Sequence, residues 1–184
     1  MTVDNYLLAN IEYIPYINQN GQLPEEFQGE IGVYAIFDRD KELQFVGYSR
    51  DVYLSLKQHL VRQPEYCYWL KIQTIERPSR TILENIEKAW IEDWIAQNGY
   101  TPVGCAENKN QWTQAINVKE LMTSEENVNY NNPVHDEIMR IKIIKNVARR
   151  IEAEILKILE MRGLQTEIRF NPKLKEEGLL DLKS

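Results

Sequence analysis

The feature that most constrains this chain is a pair of short apolar runs followed at once by an amphipathic segment. IGVYAIFD at 31–38 and LQFVGYS at 43–49 are strand-length, rich in β-branched and aromatic residues, and separated by a short polar turn. Such a pair predicts an antiparallel hairpin. Asp51 then stands as an N-cap before VYLSLKQHLVR, whose Val52, Leu54, Leu56 and Leu60 give a helix one apolar side, and Pro64 stops it. CYWLKIQTIE at 67–76 supplies a third strand. Ser79 opens a long helix in which Leu83, Ile86, Trp90 and Trp94 recur at three- and four-residue steps, with Gly99 as its stop.

These elements predict an α+β fold, a small antiparallel three-stranded sheet flanked by helices, over residues 30–105. Residues 1–29 read as a lead-in, in which IEYIPYI could add an edge strand broken at Pro15. Residues 106–132 read as a loop or linker pinned by Trp112. Residues 133–184 read as a helical extension. Its long helix carries a seam of Ile141, Ile144, Ala148, Ile151, Ile155 and Ile158, fit to pack on a partner helix or on the domain.

No apolar run reaches the roughly 20 residues that span a bilayer. The opening MTVDNYLLAN has Asp4 and no early Lys or Arg, which argues against a secretory or transit segment and for a cytoplasmic protein. Cys67 and Cys105 form no CxxC or Cys/His cluster, so two free thiols are expected rather than a zinc site. The net charge is −6, but it is unevenly spread. Residues 139–184 hold eleven Lys/Arg against seven Asp/Glu, a sum of +4, leaving −10 on the first 138. Nucleic-acid contact would therefore need a local basic patch. Arg140, Lys142, Lys145, Arg149 and Arg150 are the candidates, although a solvated helix face has the same pattern.

The order Gly32-Val33-Tyr34, then Phe45-Val46-Gly47, then a helix bearing His59, then a Glu-rich helix and Pro102, resembles the GIY-YIG nuclease superfamily. The likeness is to divergent members, of cyanobacterial or plastid type. It covers residues 30–105, and 106–184 lie outside it. The resemblance implies phosphodiester hydrolysis with Mg²⁺ or Mn²⁺. A tyrosine activates water, an arginine neutralises the phosphate, and a helix glutamate holds the cation. Tyr34 matches the first tyrosine and His59 the helix histidine. Glu87 fits the spacing to Trp90-Ile91, Glu92 fits the distance to Pro102, and Glu84 is a third option. The second tyrosine is replaced by Phe45, and Ser55 stands where the arginine belongs, so Arg50 at the helix start would have to cover for it.

A charge-stabilising group of this kind is worth about a hundredfold to a thousandfold in rate. The resemblance thus implies a degenerate nuclease with weak or no phosphodiesterase activity, serving as a nucleic-acid or protein binding module. Its catalytic set would be Tyr34, Arg50, His59 and Glu87, with metal at Glu87 and Glu92. An active Mg-dependent endonuclease is one alternative. An assembly or scaffold protein docking through the 133–163 helix is another.

Overall fold

A computed structural model describes residues 6–183; residues 1–5 of the lead-in and Ser184 lie outside the described residues. The chain divides into two units, Met1–Thr113 and Gln114–Ser184.

The first unit is built on a four-stranded antiparallel sheet, ordered β1-β4-β2-β3. The strands are β1 (Ile14–Pro15), β2 (Gly32–Phe37), β3 (Leu43–Ser49) and β4 (Trp69–Thr74). The expected three strands thus become four. The lead-in adds β1 along β4, with Ile14 opposite Leu70 and Pro15 opposite Trp69. Pro15 fits there because an edge strand can spare an amide donor. β2 lies between β3 and β4 and is buried along its whole length. Gly32 is required by closeness: a Cβ on it would come within 2.6 Å of the Gln73 carbonyl oxygen on β4.

Two helices cover the sheet, α1 (Val52–Arg62) and α2 (Arg80–Asn98). The side chains of Asp51 and Ser79 accept from the amides of Leu54 and Ile82, satisfying N–H groups with no partner inside either helix. Gly99 ends α2 at φ 83°, a left-handed conformation that costs glycine little. Because strand side chains alternate, Val33, Ala35 and Phe37 meet Leu83, Ile86 and Trp90 of α2 in one core cluster. Tyr34 points the other way and meets His59 of α1. The lead-in is fastened to this frame by two side chains. Trp90 Nε1 donates to the Tyr6 carbonyl at 2.5 Å, and the buried Lys71 ammonium donates to the Leu8 carbonyl at 3.0 Å.

The segment expected to be a loop contains α3 (Lys109–Thr113), β5 (Ile116–Asn117) and α4 (Ser124–Tyr130). Elements as short as α3 and β5 carry too little periodicity to be seen in sequence. α4 opens with a reciprocal capping box between Thr123 and Glu126. In the second unit α5 (Glu137–Met161) is followed by α6 (Pro172–Glu176) and β6 (Leu179–Leu180), which pairs with β5. The seam of α5 differs from the expected one. Ile141 is 37% exposed, while Ile143, Val147 and Leu159 join Ile144, Ala148, Ile151 and Ile155 in burial. Neighbours on more than one side make the apolar stripe wider than a two-helix seam.

Candidate functional site

The sheet and α1 bring chain-distant polar groups to one cleft. Tyr34, Phe45, Gly47, Tyr48, Ser55, Gln58, His59, Arg62, Glu87, Lys109 and Thr113 line a hollow of about 240 Å³. Tyr34 Oη and His59 Nε2 lie 2.8 Å apart and both residues are buried. Phe45 and Trp112 stack with centroids 5.3 Å apart and planes within 3°, and each also touches the His59 ring. Gly47 keeps this floor open. A Cβ there would lie 2.7 Å from the Phe45 ring and 3.0 Å from Tyr34 Oη.

Burial dominates the electrostatics. It raises the Tyr34 phenol far above its ordinary value, with the neighbouring Ser55 hydroxyl pulling the other way. It lowers His59 to about 3, with the Arg62 charge acting the same way and the Trp112 backbone opposing. His59 is therefore a neutral imidazole near pH 7. Glu87 is half-buried, and desolvation raises its carboxyl while Lys109 lowers it.

The sequence-derived residues fall into three places. Tyr34, His59 and Glu87 share the cleft. Arg50 does not; it lines a separate hollow of about 370 Å³ with Ser49, Ser79 and Arg80. Glu92 lies outside the cleft as well, exposed and paired with Lys88 at 3.7 Å, and Glu84 is tied to Arg80 at 2.6 Å. An Mg²⁺ or Mn²⁺ ion held by Glu87 and Glu92 does not fit this arrangement. Glu87 faces the Lys109 charge and burial favours its protonated form. Among the described residues no group of three or more His, Cys, Asp or Glu could hold a metal ion.

The basic run on α5 is broken up by acids. Arg150 donates to Glu126 and Glu154 and to the Leu121 carbonyl, and Lys145 pairs with Glu176 at 3.0 Å. Arg140, Lys142 and Arg149 are exposed. Sequence reasoning missed Arg62 and Lys109 as cleft residues. Lys109 sits in a polar stretch with no motif, and only the singling out of nearby Trp112 hinted that this stretch folds back.

Neither Cys67 nor Cys105 is in a disulfide. Cys67 is fully buried. Cys105 accepts the Val46 amide at 3.3 Å, and burial pushes its thiol up to about 11.

What fold and site define is an α+β unit with a buried tyrosine–histidine pair at the base of a mixed-charge cleft. No family model matches the chain. Over 83 residues, 45% of its length, it is 39% identical to the bifunctional monothiol glutaredoxin-S16, chloroplastic, of Arabidopsis thaliana. That stretch spans 28% of the relative's own length. The relative is named as a glutaredoxin and not as a nuclease. This finding corrects the GIY-YIG assignment and the nuclease function drawn from it, and it gives no support to the binding-module and scaffold alternatives. The site agrees with the correction, since Arg50 stands apart from the cleft and Ser55 brings it no charge. Among the described residues no helix is long and apolar enough to cross a membrane. The relative is chloroplastic by name, so the cytoplasmic expectation gains no support from it.

Proposed function

We propose that the chain serves thiol-redox chemistry, and does so through a small-ligand site in its first unit rather than through a reactive thiol of its own. The redox setting is suggested by the likeness to the monothiol glutaredoxin. The observation that carries the ligand site is the buried Tyr34–His59 pair opening onto Arg62, Lys109 and Glu87. A hollow of about 240 Å³ holds roughly eight waters at ~30 Å³ each. Its occupant is accordingly a molecule of about that many non-hydrogen atoms. Two cations and one carboxylate suit a small carboxylate that also carries a hydrogen-bond donor. The cysteines suit thiol catalysis poorly, because the nucleophile is the thiolate and Cys105 is held protonated at neutral pH.

The test is a titration of the full chain with small amino and hydroxy carboxylates, with and without a thiol group. Trp112 fluorescence and the His59 ring resonances report occupancy. Saturable binding that is lost in Glu87→Gln and weakened in Lys109→Met supports the reading. No response to any of these compounds, or rapid disulfide exchange at Cys105, overturns it.

A further inference from the structure

Arg50 stands just ahead of α1 and Arg80 opens α2, and the fold brings both to the hollow of about 370 Å³ that lies apart from the cleft. Two guanidiniums on one hollow repel each other unless negative charge lies near them. The protein supplies only part of that charge. Glu84 Oε1 accepts from Arg80 Nε at 2.6 Å and from the Tyr48 hydroxyl at 3.1 Å, which leaves the two terminal nitrogens of Arg80 without an acceptor among the described residues. Arg50 makes no hydrogen bond or ion pair among the described residues. Its chain neighbour Asp51 is turned to the Leu54 amide, and no Asp or Glu lines the hollow. The start of α2 adds further donors. Ser79 Oγ accepts the Ile82 amide at 3.3 Å and keeps its own proton free to give, and the Arg80 and Thr81 amides have no partner inside the helix. Ser49 adds none, because its proton goes to the Asp51 carbonyl.

We propose that this hollow binds a small phosphate monoester with an apolar body of about the size of one ring. Two guanidinium forks, a hydroxyl and two helix-start amides are more donors than the two oxygens of a carboxylate can use. A phosphate monoester brings three terminal oxygens and a charge near −2, which answers both arginines at once. The rest of the wall is apolar: Leu83 is buried, Ile31 and the Tyr48 ring are half-buried, and Pro78 closes the rim. A volume of about 370 Å³ equals roughly twelve waters at ~30 Å³ each, so a phosphate group leaves room for a ring beside it. The cleft takes no part in this site. Arg50, singled out in the sequence as a stand-in for a missing cation, here serves a hollow of its own.

The test is calorimetric titration of the full chain at low salt with phenyl phosphate, inorganic phosphate and phenyl sulfate, with amide and His59 ring resonances followed by NMR. Phenyl phosphate is expected to bind saturably and to shift the amides of Arg50, Arg80 and Thr81 while the His59 ring stays unmoved. Inorganic phosphate has no body for the apolar wall, and phenyl sulfate carries a single charge; each is expected to bind about tenfold more weakly. Arg50→Gln and Arg80→Gln are each expected to weaken phenyl phosphate about tenfold, and added salt to weaken it further. Both side chains are exposed, so the variants should melt like the unsubstituted chain. Absence of saturable binding, equal affinity for inorganic phosphate, binding kept in both arginine variants, or shifts that fall on His59 overturns the proposal. Because His59 reports the cleft and the α2 amides report this hollow, the two readings fail separately.

Discussion

Trp112 lies flat on Phe45, with centroids 5.3 Å apart, and both rings also contact His59. A side chain from the polar stretch after α2 thus roofs an imidazole carried by α1. Truncating it in Trp112→Ala should cost about 3–5 kcal/mol of unfolding free energy, as for large aromatics removed from a core. The same change admits water to His59 and should raise its pKa towards 6.5. Urea denaturation and histidine NMR titration measure the two effects. A stable variant with an unmoved His59 would mean that the roof is incidental.

His59 gives the stability a pH dependence of known sign. Its folded value of about 3 lies below the ordinary 6.5, so the unfolded chain binds the proton more readily. The neutral ring's contribution is complete above pH 6.5 and is lost as pH falls towards 3. A shift of this size corresponds to something on the order of 3–5 kcal/mol. Denaturation curves at stepped pH should show a steeper acid loss in the unsubstituted chain than in His59→Gln. Equal slopes would place the acid sensitivity elsewhere.

Gly47 should not tolerate a methyl group. An added Cβ meets the Phe45 ring at 2.7 Å and Tyr34 Oη at 3.0 Å. Overpacking of this kind costs about 1–3 kcal/mol. Because the nearest atoms belong to the cleft floor, Gly47→Ala should also disturb the His59 resonances. Thermal melting together with the NMR spectrum decides the matter, and a variant with unchanged melting and spectrum would show that the floor yields freely.

Cys105 should react slowly. Raising its thiol from 9.0 to about 11 leaves about a hundredfold less thiolate at neutral pH, and reaction with a disulfide reagent at pH 7.5 should slow accordingly. Cys67, fully buried, should react only on opening of the fold. Timed thiol titration with Cys67→Ala and Cys105→Ala separates the two, and a fast phase from Cys105 would contradict the burial argument.

The sheet and its helices were legible where a periodic pattern ran long enough. β2, β3, α1 and α2 follow from apolar alternation and from the Asp51 and Ser79 caps. The edge strand expected in IEYIPYI is present as β1, whereas the two-residue β5 gives no pattern, because its pairing is decided by tertiary contacts. Tyr34, His59 and Glu87 were legible as cleft residues because strand and helix periods aim them inward. Arg50 was misplaced because a residue at a helix start can face either side of the sheet edge, and sequence spacing does not choose. Ser55 was read only as an absence of charge. Its hydroxyl instead donates to Ser49 at 2.7 Å, a contact that is a fact of three dimensions. The family likeness was carried by the order of two apolar tripeptides, a helix bearing His59 and a Glu-rich helix, and the tripeptides at its head recur in many strands.

The grip of Arg150 has a consequence for how the second unit comes apart. α4 contributes no buried residue, and Arg150 of α5 bonds both carboxylate oxygens of Glu126 on it and also reaches the Leu121 carbonyl just before it. A seven-residue helix with no core of its own would ordinarily fray on its own timescale. Here one guanidinium couples it to the 25-residue α5, so the amides of α4 should share in the slow hydrogen exchange of that longer helix and lose their protection in Arg150→Ala.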